Sequence, residues 1–153
     1  MRRRDFLALA LMAPLVGGPV WADDLPSGLS PTTFKALDKM VDNLLGAYNA
    51  KDGKKYVADF DPSYQNKTPA ETERWGQTYV VETRQQFGAY RSRVLDSGMC
   101  SIYKIDEGGT SSLVYRLQMD KGPAFLYVTI QRNPSGFKFG AVTFHDKALD
   151  GME

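Results

Sequence analysis

RQQFGAYRSR, residues 84–93, is the stretch at which the chain changes its texture. Before Gly88, apolar residues recur every three or four positions. After it, they alternate with polar ones. A 3.6-residue period places one stripe of a helix in a core, and a two-residue period places one face of a strand there. Gly88 suits the position after a helix C-terminus, where the backbone turns left-handed. The reading is therefore helices first and sheet afterwards, an α+β pattern.

Upstream of that junction, three start signals are visible. Ser30-Pro31 is an N-cap followed by Pro at the first helical position. From there Phe34, Leu37, Met40, Val41, Leu44, Leu45 and Tyr48 share one stripe, which predicts a long amphipathic helix. Asp52-Gly53 ends it with a turn. KKYVADF (54–60) predicts a short second helix, limited by Pro62. TPAE (68–71) combines a capping Thr, a first-turn Pro and a Glu at the third helical position. It predicts a helix to Phe87, anchored by Trp75, Tyr79, Val80 and Phe87.

Downstream, residues 89–95, 99–105, 111–119, 123–132 and 136–145 read as five strands separated by turn signals. Leu113, Tyr115, Leu117 and Met119 alternate with polar neighbours, as do Leu126, Val128 and Ile130. One face is apolar and the other mixed. Phe125, Tyr127, Val142 and Phe144 are expected on the outer face. If alternation runs unbroken from Phe137 and Phe139, His145 shares their face; a bulge reverses this.

The chain start has its own signature. Arg2, Arg3 and Arg4 precede an apolar run from Phe6 to Val16, and Val20-Trp21-Ala22 offers a small-residue cleavage site. Residues 1–22 therefore read as a cleaved export signal. Arg3, Arg4, Phe6 and Leu7 match the twin-arginine pattern, and Ala22 precedes the cut. Residues 23–30 read as a flexible leader, 31–146 as one domain and 147–153 as a tail. The expected location is periplasmic or secreted. The mature 131 residues carry a formal charge of about −1, so neither nucleic acid nor an anionic membrane is favoured as a partner.

The order of these elements resembles the nuclear transport factor 2-like superfamily, and within it small exported bacterial members. The features that carry the resemblance are the Phe34–Tyr48 helix, YVADFDP, TPAE, RQQFGAYRSR and the closing GFKFGAVTFHD (136–146). The resemblance covers residues 31–146. It implies N-terminal helices packed in the hollow of a curved antiparallel sheet, a cone-shaped, cystatin-like α+β fold. It also implies a hollow able to hold a ligand, and an outer sheet face that often forms a homodimer. It does not choose an activity, because this fold hosts isomerases, dehydratases, carriers and dimerisation modules.

The residues exclude several chemistries. One His and one Cys cannot build a His/Cys metal cluster. Asp59, Asp61 and Ser63 have calcium-loop spacing, but Tyr64 stands where the loop needs Gly and Ala70 where it needs Glu. No glycine-rich phosphate loop appears, so no cofactor and no metal are expected. Cys100 reads as a small, inert apolar residue. Candidate acid–base residues are His145 and Asp59, since enzymatic members of the superfamily place an Asp, or His with Asp, in the hollow. Tyr48, Trp75, Tyr79 and Tyr115 are candidate ligand-pocket residues, each apolar with a polar tip. The expected function is an exported domain that binds a small apolar or amphipathic ligand or a protein partner. The alternative is a small cofactor-free isomerase, dehydratase or hydrolase.

Overall fold

A computed structural model describes residues 24–61 and 68–147. The export segment, including Arg3, Arg4, Phe6, Leu7 and Ala22, lies outside the described residues, as do the calcium-loop residue Ser63 and most of the tail. Among the described residues three helices pack against a curved, four-stranded antiparallel sheet, an α+β arrangement. None of these helices is long and apolar enough to cross a membrane.

Helix α1 spans Pro31–Ala50. The Ser30 hydroxyl accepts from the Thr33 amide at 3.1 Å, satisfying one of the free N–H groups of the first turn. Its buried stripe is Phe34, Leu37, Val41, Leu44, Leu45, Ala47 and Tyr48. Helix α2 is one turn, Gly53–Tyr56, capped by Asp52, whose carboxylate accepts from the Lys55 amide at 3.0 Å. Helix α3 spans Pro69–Phe87. Its capping box closes both ways: the Thr68 amide donates to Glu71 Oε1 at 2.8 Å, and the Glu71 amide to Thr68 Oγ1 at 3.2 Å. Gly88 ends α3 at φ 78°, and a Cβ there would stand 2.6 Å from Asp120 Cβ. Backbone conformation and space both demand glycine at the junction.

The strands are β1 (Tyr90–Leu95), β2 (Ser111–Met119), β3 (Gly122–Asn133) and β4 (Gly136–His145), in that spatial order. Leu113, Tyr115, Leu117, Met119, Leu126, Val128 and Ile130 form the inner face, as the alternation predicts. The expected strand over 99–105 is absent. Only Ser101 bridges to Ser112, and the rest is a crossing loop with short 3-10 turns at Ser97–Met99 and Ile105–Glu107. Its apolar residues still serve the core, because Ile105 plugs into it from the loop. Burial, not pairing, is what that composition provides.

Strand β4 carries a second correction. Thr129 pairs with Ala141 and Ile130 with Phe139, so Gly140 is a bulged extra residue. A bulge shifts the face of everything beyond it. Val142 and Phe144, expected outside, pair with the inner-face residues Val128 and Leu126 and are buried. Thr143 and His145 consequently leave the face of Phe139.

Both sheet edges are partly capped by side chains or loop backbone. On β1 the Asn49 amide mimics a strand, accepting from Tyr90 N at 2.8 Å and donating to Tyr90 O at 2.9 Å. On β4, Phe139 exchanges hydrogen bonds with Asp59 O and Asp61 N at 2.8 and 2.9 Å. Tyr79 Oη accepts from Phe144 N at 3.1 Å.

Residues 24–30, part of the expected leader, run alongside the domain. Leu29 is buried and Leu25 packs against the core. The Ser97 hydroxyl donates to Asp24 O.

Candidate functional site

Four places in this fold gather chemistry-bearing side chains. The first is the hollow. Tyr48, from α1, stacks on Phe144 with ring centroids 4.8 Å apart and donates its hydroxyl to Gly88 O at 2.7 Å. Tyr79 lies 6.5 Å from the same Phe144, and Trp75 stacks on Tyr79 at 5.1 Å. Tyr56, Phe60 and Phe87 complete a continuous aromatic cluster. Among the described residues the hollow is packed with its own rings, together with the buried Phe34 and Leu37. Three of the four predicted pocket residues come together here, linked through Phe144. Two polar atoms nearby, Tyr56 Oη and Arg84 Nε, are buried without a hydrogen-bond partner among the described residues.

The fourth predicted pocket residue, Tyr115, belongs to a separate polar network between α1 and β1. Its hydroxyl donates to Asp38 Oδ1 at 3.0 Å. Arg93 donates to the same oxygen, its Nη2 at 3.0 Å, and Nη2 also reaches Asp42 Oδ1 at 2.7 Å. The Arg93 guanidinium lies 5.6 Å from the Tyr115 ring centre and also donates to Tyr90 Oη at 2.9 Å. Burial disfavours its charge, but Asp38 and its other neighbours overcome this and hold it firmly protonated. Asp38 lies off the apolar stripe of α1, yet it is more than a surface charge, being partly buried within this network. With Tyr115 and Arg93 both donating to it, its lone pairs serve structure.

The acid–base candidates are not brought together. His145 sits on the outer face, paired in register with Phe125, its ring edge-on to Tyr127 at 5.3 Å and its Nε2 3.0 Å from Thr143 Oγ1. Asp59 lies against Phe139, six residues earlier on β4. At ~3.3 Å per strand residue the two stand roughly 20 Å apart, far beyond hydrogen-bond reach.

Cys100 is half-buried beneath β2, accepting from Val114 N at 3.4 Å. Burial pushes its thiol up from 9.0 to about 11, against a smaller lowering by the Val114 amide. Burial likewise raises Tyr48, Tyr56, Tyr79, Tyr90 and Tyr115. All of these groups favour their neutral form when folded. Stability is therefore level below the unfolded thiol's range and falls as pH rises from about 9 towards 11, the tyrosines extending the loss above that. At pH 8 folded Cys100 carries about 100-fold less thiolate than the unfolded thiol. Ellman's reagent should accordingly label the urea-unfolded chain rapidly and the folded chain slowly; equal rates would contradict the burial.

The fourth place was not expected. A cavity of about 510 Å³ opens between α2 and the start of α3, lined by Asp52, Lys54, Lys55, Val57, Ala58, Phe60, Pro69, Thr72 and Glu73. Val57, Ala58, Phe60 and Pro69 make an apolar wall, and the charged residues carry both signs. Its shape follows from how closely α2 approaches α3. A Cβ on Gly76 would lie 2.5 Å from Val57 Cγ1 and 2.9 Å from Gly53 O, and one on Gly53 would collide with the Gln77 backbone. Gln77 then clamps the crossing, its Oε1 accepting from Gly53 N at 2.9 Å and its Nε2 donating to Lys51 O at 3.2 Å. None of Tyr48, Trp75, Tyr79 and Tyr115 lines the cavity, although Trp75 lies 5.9 Å behind the Phe60 ring. The sequence held one partial signal for it: Gly76, a glycine inside a helix pattern, is the kind of position that marks close approach, while Gly53 reads as a turn.

No family model and no curated protein matches the chain. Among solved structures it is similar to Bd1075 from Bdellovibrio bacteriovorus, at 12% identity and a TM-score of 0.47 over 78% of this chain and 42% of that one. It is also similar to Aln2 from a Streptomyces species, at 15% identity and a TM-score of 0.49 over 80% of this chain and 93% of that one. The chain thus spans 42% of the length of the Bdellovibrio protein.

Proposed function

We propose that this chain is an exported, cofactor-free binding domain of the nuclear transport factor 2-like type, which holds a small apolar or amphipathic ligand between α2 and α3. The observation that carries the reading is the 510 Å³ cavity with its apolar wall and charged rim. Ligand pockets are commonly ~300–1,000 Å³, mostly apolar, with a few polar groups to orient the guest. Export to the periplasm, with cleavage near Ala22, rests on the sequence pattern at the chain start. The enzymatic alternative draws less support, because His145 and Asp59 stand on different parts of the fold and the hollow is occupied by its own aromatic rings.

A second reading adds a homodimer through the outer sheet face. Val94 is 47% exposed there, in the cross-strand row it shares with Arg116, Phe125 and His145. With the half-buried Phe125 in the same row, Val94 gives this face an apolar strip that a second copy would cover.

Native mass spectrometry tests both. Purified protein mixed with dodecanoate should show a one-to-one adduct. Ala58→Trp, which places an indole in the cavity from an exposed position, should remove the adduct and leave the melting temperature nearly unchanged. An adduct that survives Ala58→Trp would place the ligand elsewhere. A dimer dissolved by Val94→Glu supports the second reading, and a monomer at all concentrations removes it.

A further inference from the structure

The cavity between α2 and α3 is lined by charges of both signs, and most of them are not paired with each other. Lys54 and Lys55 belong to α2 and Glu73 to α3. Among the described residues, no carboxylate oxygen lies within 4.0 Å of either ammonium, and no ammonium or guanidinium lies within 4.0 Å of the Glu73 carboxylate. The other two polar side chains already have work. Asp52 Oδ1 accepts from the Lys55 amide and caps α2, and the Thr72 hydroxyl donates to Thr68 O at 3.1 Å. The rest of the lining is apolar, with Val57 and Phe60 buried at its inner end.

We propose that the guest of this cavity is a zwitterionic amphiphile, an apolar body whose head group carries an ammonium and a carboxylate side by side, as an α-amino acid does. This rests on the proposed binding of a small ligand in the same cavity. Lys54 and Lys55 take the carboxylate, Glu73 takes the ammonium, and the apolar body lies against Val57, Ala58, Phe60 and Pro69. Charge complementarity selects this class. A simple carboxylate would serve the lysines but stand near Glu73 as a like charge, and a simple amine would meet two ammoniums. A neutral apolar guest would strip water from all three charges and replace none of it. The lining holds two basic and two acidic residues, so a head group of zero net charge leaves it balanced. The apolar wall and the guest together exclude water, which strengthens each pair beyond its worth on an open surface.

The test is calorimetric titration at neutral pH with three probes that share one alkyl chain: 2-aminododecanoate, dodecanoate and dodecylamine, each below its micellar range. 2-Aminododecanoate should bind about five- to tenfold more tightly than dodecanoate, the worth of one added charge-assisted contact at a half-open site. Dodecylamine should bind most weakly of the three. Glu73→Gln should bring 2-aminododecanoate down to the affinity of dodecanoate. Lys54→Met together with Lys55→Met should weaken both carboxylates by about tenfold. Equal affinities of 2-aminododecanoate and dodecanoate, or an advantage that survives Glu73→Gln, would overturn the zwitterion while leaving binding in the cavity intact. Failure of all three probes to bind, or binding untouched by Ala58→Trp, would overturn the cavity reading itself, and the zwitterion with it.

Discussion

Gly76→Ala should destabilise this protein by about 1–2 kcal/mol, whereas Gly46→Ala should stabilise it by up to about 1 kcal/mol. Both residues lie inside helices, and alanine is the better helix former at each. That intrinsic gain is about 1 kcal/mol and is the same in the two cases. Space decides the sign. A Cβ on Gly46 meets nothing within 4 Å, and the residue is exposed. On Gly76 it meets Val57 Cγ1 at 2.5 Å and, on the other side, the backbone oxygen of Gly53 at 2.9 Å. The valine methyl can rotate away, but the backbone of α2 cannot move without lifting the whole turn off α3. Overpacking of this kind costs about 1–3 kcal/mol and more where backbone is involved, so it exceeds the helical gain. The shift of the cavity wall follows from the same displacement, because Val57 lines it. Urea unfolding of the two variants side by side measures the contrast. Two midpoints moving in the same direction would contradict the close crossing of α2 and α3.

The second large effect is expected at Arg93. Its side chain is 11% exposed, while Asp38 and Asp42 are 32% and 62% exposed. Breaking a fully buried pair by removing one partner costs about 3–5 kcal/mol, chiefly through the charge left without a partner. Here water reaches both carboxylates, which lowers the figure to about 2–3 kcal/mol for Arg93→Ala. Part of that loss is packing, because the guanidinium covers the Tyr115 ring at 5.6 Å. Arg93→Lys keeps the charge but cannot serve Asp38, Asp42 and Tyr90 together, and should lose about half as much. A double-mutant cycle with Asp38→Asn should return a coupling of about 1–2 kcal/mol, as groups sharing one network do. A cycle that closes with no coupling would mean that Arg93 acts through packing alone.

Elements whose cause is local were legible in the sequence. Ser30-Pro31, the Thr68–Glu71 box and Gly88 each satisfy or end a helix through their own neighbours, and all stand where the residues placed them. Asp52-Gly53, read as the turn that ends α1, instead caps and opens α2, which is one turn rather than 54–60, while Lys51 ends α1. The inner face of β2 and β3 was equally legible, since alternation is a property of the strand itself. What depends on a distant partner was not. Gly140 looks like any strand glycine until Thr129 and Ile130 are seen to pair around it, and that one residue turns Val142 and Phe144 inward and His145 outward. Residues 99–105 have strand composition, yet Ile105 satisfies its apolarity by plugging the core from a loop. The cavity needs 52–60 and 69–73 side by side, a contact set by two glycines whose meeting no local pattern announces. Tyr48, Trp75 and Tyr79 do meet in one place, but joined through Phe144, with Trp75 stacked on Tyr79, rather than as walls around a guest.

The proposed ligand enters between α2 and α3 while the hollow stays filled. Titration of the isotope-labelled protein with dodecanoate, followed by its amide resonances, tests this most directly. Saturable shifts are expected at Lys54, Lys55, Val57, Ala58, Phe60, Thr72 and Glu73, with Tyr115 and Leu126 on the inner face unmoved. Shifts centred on Tyr48, Tyr115 and Leu126 would show that the hollow opens to take the guest, and would contradict binding between the helices.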